Sequence, residues 1–359
     1  MRISSVKIPG RDFCWSASLE NGRLAELTRV DESPTDLWLT RGLIDIQVNG
    51  YAGVLVTKSD LKTEELAHLE EELFQQGVTR WCPTVTTQDP RVIRASLAAI
   101  DRGIKKGAIK RVHCIHLEAN YLSPEDGYRG AHIRRYITPP DPVEFDSFQK
   151  AAGGRIGYVT LAPETQGALE FIRLLASKGI LVALGHHNAS PEVISAAVDA
   201  GARLSTHLFN GCAAQVNRHN NPIFYQLAED RLWASFIPDG HHIPYRTLKT
   251  GLRAKGLERS VFTSDLVYLG GSPEGEYTKH ERTVEVKNGA IWIKGTSLLS
   301  GAWSSLSQGL ARVTASGIIS PGDALRLASP NPARLLGVED QLEVLPGSEG
   351  PFVLFREDT

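Results

Sequence analysis

Short, nearly unbroken apolar runs recur along this chain with helix-like stretches between them, and this alternation restricts the fold more than any other feature. The runs are Leu43–Val48, Arg80–Val85, Val112–Leu117, Gly157–Ala162, Ile180–Leu184, Arg203–His207, Trp233–Ile237 and Ser260–Thr263. They do not alternate polar with apolar residues, so they suit strands covered on both faces of a parallel sheet. The segments between them carry helix punctuation. Thr63–Gln76 has Thr63 as its expected N-cap and Gly77 just past its end. Pro90–Arg102 opens with proline and sets Ile93, Leu97 and Ile100 on one face. Gln166–Ser177 ends before Lys178-Gly179, and Ser190–Ala200 starts with a cap followed by proline. About eight strand–helix repeats predict an α/β fold, a (β/α)8 TIM barrel.

Both ends of the chain differ from this middle. Residues 1–40 and 338–359 read as short strands and turns, and they are expected to meet in a small β-sandwich domain built from both chain ends. The barrel is expected to span residues 41–337. Two irregular stretches, Asn120–Pro142 and Leu269–Lys287, follow predicted strands, where the substrate loops of a barrel lie. With 359 residues, 42% of them hydrophobic, the chain can bury a large core. A net charge of −2 argues against a nucleic-acid or membrane surface. The basic stretch Lys105–Arg111 reads as a solvated helix end. No apolar run approaches a membrane span, and Met1–Lys7 lacks an apolar signal core, so a cytoplasmic protein is expected. Cys14, Cys82, Cys114 and Cys212 show no Cys-x-x-Cys spacing and read as free thiols in a reducing compartment.

In a barrel the C-terminal ends of all strands share one rim. Glu118 closes the third predicted strand, His186 the fifth, His207 the sixth and Asp265 the eighth. One carboxylate and two imidazoles are a sufficient ligand set for one catalytic divalent metal, with a position left for water. Asp265 could take a proton from that water and hand it to a leaving amine. His113 and His116, inside an apolar run, are expected to be core residues. Asp239-Gly240-His241-His242 follows the seventh strand and either presents His242 to a substrate or is a turn. Arg218, in Asn217-Arg218-His219-Asn220, is either an anion clamp or a surface arginine.

These residues resemble the N-acetylglucosamine-6-phosphate deacetylase family of the amidohydrolase superfamily, over nearly the whole chain and in order. The first-strand motif is Gly42-Leu43-Ile44-Asp45-Ile46-Gln47-Val48-Asn49-Gly50. Ile115-His116-Leu117-Glu118, Leu184-Gly185-His186-His187-Asn188-Ala189 and Ser205-Thr206-His207-Leu208-Phe209-Asn210 match the metal motifs. Pro238-Asp239-Gly240-His241-His242, Thr263-Ser264-Asp265, Leu299-Ser300-Gly301 and Asn331-Pro332-Ala333-Arg334 follow. The resemblance implies that Glu118, His186 and His207 bind one divalent metal per subunit, zinc first, with iron, cobalt or manganese also acceptable to such a set. It implies that Asp265 is general base and then acid, and that His132, in Arg129-Gly130-Ala131-His132, helps polarise the acetamide carbonyl. Ala131, Asn210, Gly211, Arg218, Asp239, Gly240, His241 and His242 are implied to hold the sugar or its phosphate. Leu299, Ser300 and Gly301 are implied to line the acetyl end.

Gln47-Val48-Asn49 stands where many amidohydrolases carry a His-x-His pair for a second metal. An amide is a poor zinc ligand, so a mononuclear site is expected. Departures from the family pattern cluster on the substrate side. They include Asn210-Gly211-Cys212, the residues after Arg218, Ala302-Trp303, which is expected to put an aromatic near the pocket, and Ile133-Arg134-Arg135 after His132. The expected reaction is metal-dependent hydrolysis of the acetamide of N-acetylglucosamine 6-phosphate to glucosamine 6-phosphate and acetate, by a homodimer. The alternatives are an amidohydrolase acting on another N-acyl sugar or a cyclic amide, and a non-catalytic barrel that binds an amino sugar.

Overall fold

The computed structural model describes residues 1–30, 35–279 and 282–357. Strands β1 (Arg2–Lys7), β2 (Cys14–Glu20), β3 (Arg23–Val30) and β4 (Leu37–Thr40) precede the first barrel strand, β5 (Leu43–Val48). A two-residue hairpin follows, β6 (Gly50–Tyr51) and β7 (Val54–Leu55). The other barrel strands are β8 (Val78–Thr86), β9 (Ile115–Glu118), β10 (Ile156–Leu161), β11 (Leu181–Leu184), β12 (Leu204–Ser205), β13 (Trp233–Phe236) and β14 (Ser260–Phe262). All eight predicted strands are present. Each pairs in parallel with the one before it, and a helix fills every crossover.

Local chemistry sets the helix starts. Asp89, Asp141, Ser190, Asn221 and Ser320 each accept a backbone N–H with the side chain, and each is followed by proline at the first helical position. The helix Thr63–Gln75 departs from expectation: its N-cap is Lys62, not Thr63, and Glu65 accepts the Lys62 backbone N–H at 3.0 Å. The next helix runs three residues further than read, Pro90–Lys105, and another starts at Ala168 rather than Gln166.

The ladder does not run from β14 back to β5. That seam is closed by an isolated parallel bridge between Val48 and Leu266, and by one carboxylate. Oδ1 of the fully buried Asp45 accepts Thr263 Oγ1 at 2.8 Å, Ser264 N at 3.1 Å and Gln47 N at 3.3 Å. Burial pushes the Asp45 carboxyl above its usual range, against these donors.

Two apolar layers flank the strands. The larger packs the outer strand faces against the helices, with Trp81, Phe145, Phe148, Phe171 and Phe236 buried in it. The smaller takes Ile44, Ile46, Tyr158, Ala183, Leu204 and Val261 from five strands and fills the barrel interior. Above it lies a polar layer. His116 bridges Thr84 Oγ1 (3.1 Å) and Thr160 Oγ1 (2.8 Å) and stacks on Tyr158 with ring centroids 3.6 Å apart. Burial lowers its pKa to about 3, so the ring is neutral. Of the two core histidines expected from the sequence, His116 is one, whereas His113 is only half-buried.

The chain ends meet in a five-stranded sheet of order β18-β4-β1-β2-β3, where β18 is Val353–Arg356. The expected sandwich is realised as one sheet curled on itself: β3 at the far edge bridges through Arg23 to Glu349, four residues before β18. The segment read as irregular, Leu269–Lys287, contains the antiparallel strands β15 (Gly275–Lys279) and β16 (Arg282–Lys287), and the third strand of that sheet, β17 (Ala290–Ile293), follows it. Thr283-Val284-Glu285-Val286-Lys287 carries the period of two that signals a half-buried strand, and Val284 and Val286 are the buried members. The four cysteines are free, as expected.

Asp45→Ala should destabilise the barrel by about 2–4 kcal/mol, because three donors at the seam lose their acceptor together. Asp45→Asn keeps an acceptor and should cost less. Urea unfolding midpoints of the two variants check this.

Candidate active site

Side chains two residues apart on a strand share a face, so Glu118 projects from β9 one step above His116. His186 and His207 follow β11 and β12, and Asp265 follows β14. At these strand ends the backbone turns into the left-handed region: φ is 54° at His186, 29° at His207 and 55° at Asp265. Such turns are rare for residues with a Cβ and cost on the order of 1–3 kcal/mol each. Neighbouring bonds hold them, among them His207 N to Ser235 Oγ at 2.7 Å.

The turns bring one carboxylate and two imidazoles together. Glu118 Oε1 lies 3.2 Å from His207 Nε2 and 3.5 Å from His186 Nε2, and the three ligand atoms fit within 4.8 Å of one another. The Tyr128 carbonyl lies 2.9 Å from His186 Nδ1, which fixes the proton there and leaves the Nε2 lone pair facing the cluster. Glycines lock that ring in place. A Cβ on Gly211 (φ 61°) would stand 2.7 Å from His186 Nδ1, and one on Gly130 would stand 3.1 Å from Cε1. Burial alone would raise the Glu118 carboxyl, but the two imidazoles outweigh it and hold the group well below the usual carboxylate range. All three groups are buried. This donor set, with its orienting carbonyl, fits a divalent cation of zinc type.

Asp265 sits beside the cluster. Its Oδ1 accepts Asn49 Nδ2 at 2.7 Å and Gln47 Nε2 at 3.1 Å, and Gln47 Nε2 also reaches Glu118 Oε2 at 2.9 Å. The Gln-x-Asn pair therefore ties the two carboxylates together with neutral donors. Burial pushes the Asp265 carboxyl up, against the pull of His207, and the Glu118 charge adds to the rise. His132 Nε2 stands 3.3 Å from His186 Nε2, and its Nδ1 lies 2.8 Å from Thr87 Oγ1.

A cavity of about 590 Å³ opens over these groups. Its wall includes Ala131, His132, Asn210, Gly211, His241, His242, Leu299, Ser300 and Gly301 from the sequence-based set. Three of that set lie elsewhere. Asp239 is buried behind the wall, where its Oδ2 meets His242 Nδ1 at 2.8 Å and its Oδ1 accepts the N–H groups of His241 and His242. That contact outweighs burial and raises the His242 pKa, while Asp239 is held at about 2. Gly240 is a turn residue (φ 79°) against Tyr245. Arg218 is exposed on the loop after His207 and does not line the cavity, because that loop runs outward before the helix Pro222–Ala228. Trp303 also misses the wall: its Nε1 donates to Ser272 O at 2.8 Å, and Trp292 of β17 takes the aromatic place. Sequence reasoning did not select Gln47, Asn49, Arg134, Arg135 or Trp292 as site residues. The first four stood in quoted motifs, and Trp292 followed the overlooked β16.

No family model matches the chain. It is 33% identical over 334 residues to N-acetylglucosamine-6-phosphate deacetylase of Bos taurus, covering 89% of this chain and 80% of the relative. It is 31% identical over 313 residues to N-acetylgalactosamine-6-phosphate deacetylase of Escherichia coli O157:H7, covering 86% of this chain and 81% of the relative. The solved N-acetylglucosamine-6-phosphate deacetylase of Thermotoga maritima shares the fold with a TM-score of 0.87 at 23% identity, over 100% of this chain and 96% of that one. The Mycobacterium smegmatis enzyme, solved with N-acetyl-D-glucosamine-6-phosphate, gives 0.87 at 24% identity, over 99% and 94%. With full-length likeness at this level, and with the family's motifs gathered at one rim of the barrel, the chain belongs to the N-acetylglucosamine-6-phosphate deacetylase family of amidohydrolase-fold hydrolases.

Proposed function

We propose that the protein hydrolyses the acetamide of N-acetylglucosamine 6-phosphate to glucosamine 6-phosphate and acetate, using Glu118, His186 and His207 to hold one zinc ion. The observation that carries this reading is the meeting of that ligand set with Asp265 in one cavity. The names of the curated relatives supply the substrate class. A divalent cation in this site acidifies water and polarises the amide carbonyl.

Asp265 takes the proton from the attacking water. Its raised pKa suits a base that must later act as an acid. Asn49 and Gln47 hold Oδ1, which leaves Oδ2 to exchange the proton. The water oxygen bonds to the carbonyl carbon, and negative charge moves onto the carbonyl oxygen. His132 stands beside the cluster to donate to that oxygen. Asp265 then protonates the nitrogen, the C–N bond breaks, and acetate and the free amine leave. His242, whose pKa the Asp239 carboxylate raises, lines the cavity and offers a donor to the sugar in its protonated form. The proposal includes residues 41–337 as the catalytic unit, a homodimer and a cytoplasmic setting. Among the described residues no helix is long and apolar enough to cross a membrane.

The direct test is acetate release by the zinc-loaded protein from N-acetylglucosamine 6-phosphate, with the galacto epimer and unphosphorylated N-acetylglucosamine alongside. Fast release from the phosphorylated gluco sugar is expected, and no release from any of the three would overturn the reading. Asp265→Asn should lower kcat by about a thousandfold, within the range for a lost general base, while elemental analysis still finds one metal per subunit. Dialysis against a chelator should abolish turnover in the wild type, and added zinc should restore it. His207→Ala should bind metal below stoichiometry and should not be rescued by zinc.

A further inference from the structure

Among the described residues the wall of the cavity holds two carboxylates, Glu118 and Asp265, and both lie at its buried base. It also holds two guanidinium groups, Arg134 and Arg135, and both are exposed at its mouth. Among the described residues no lysine joins them in the wall. The two arginines open a single 3-10 turn, Arg134–Tyr136, just past His132. The turn is tied down: Thr138 N donates to Asn120 O at 2.8 Å, and the His132 ring is bonded to Thr87. Arg135 lies over the ring of Tyr136, 4.8 Å from its centroid. The Arg134 guanidinium has no carboxylate partner among the described residues.

Arg134 is therefore a permanently charged, planar group with five donors at the cavity mouth and no carboxylate partner among the described residues, and such a group is suited to binding an oxyanion. The cavity thus has a direction, with amide-cleaving groups at its base and fixed positive charge at its rim. A molecule with a neutral acetamide at one end and a phosphoryl dianion at the other matches it. Resting on the deacetylase reading, we propose that Arg134 clamps the substrate phosphate and sets the preference for phosphorylated over unphosphorylated sugar. This gives the role first expected of Arg218 to the first arginine after His132, where the chain departs from its family's pattern.

The test compares Arg134→Gln, the Arg134→Gln/Arg135→Gln pair and Arg218→Gln in the zinc-loaded full chain, with metal content and circular dichroism as controls for folding. Loss of one charge-assisted contact should raise KM for N-acetylglucosamine 6-phosphate about tenfold to a hundredfold. kcat should change less than KM, and kcat/KM for unphosphorylated N-acetylglucosamine should not change. Arg134→Lys should recover part of the loss. An unchanged KM in both arginine-turn variants, or a loss confined to Arg218→Gln, overturns the assignment and leaves deacetylation intact. If the wild type cleaves neither sugar, the deacetylase reading fails, and calorimetric titration with glucosamine 6-phosphate then decides the clamp alone. Weaker binding in Arg134→Gln than in wild type supports it. Equal binding, or none to wild type, refutes it.

Discussion

The Asp45 carboxylate at the barrel seam is the contact on which the site's geometry rests. A closed parallel barrel normally continues its backbone ladder all the way round. Here the first and last strands meet through one backbone bridge, Val48 to Leu266, and through side chains, with Asp45 gathering donors from Thr263, Ser264 and Gln47. The backbone pairing at this seam is limited to Leu266, and the residue before it, Asp265, turns into the left-handed conformation. One step above Asp45, Gln47 and Asn49 then reach that same residue. The Asp265 carboxylate stands at the place where regular pairing stops.

The interior is graded along the barrel axis. Aliphatic side chains and Tyr158 fill the lower part, the neutral His116 and its threonine partners form a polar collar, and the charged groups come last at the open rim. Each step upward trades packing for hydrogen bonding without leaving a charge alone in an apolar layer. Thr160 Oγ1 also bonds Thr206 Oγ1 at 2.8 Å, so the collar joins the strands that carry Glu118 and His207. A shift of either strand would have to break that collar first.

Most of this was legible in the sequence because it depends on period and chain order. Apolar runs marked every barrel strand, and the residues ending the runs marked the Glu118, His186 and His207 cluster. What escaped depends on direction in space. Arg218 and Arg134 are both arginines on rim loops, and no spacing rule says which loop turns inward and which outward. Asp239 read as a substrate contact but is the buried partner of His242, which lines the cavity. The glycine at 211 read as a ligand contact, and its backbone does line the cavity, yet its missing Cβ makes room for His186. The overlooked hairpin had its alternation interrupted by loop residues on both sides, so no long window displayed it.

That hairpin has a consequence for how such a protein changes over time. Val284, Val286 and Ile291 bury themselves with Val267 and Leu269 in a cluster of their own, separate from the two layers of the barrel. Trp292, Leu298 and Leu299 then face the cavity from a unit whose packing is settled elsewhere. Substitutions there can reshape the substrate wall with little effect on the folding of the barrel or on the placement of its reacting groups. The scaffold and the selectivity of this hydrolase are, to that extent, separately mutable parts.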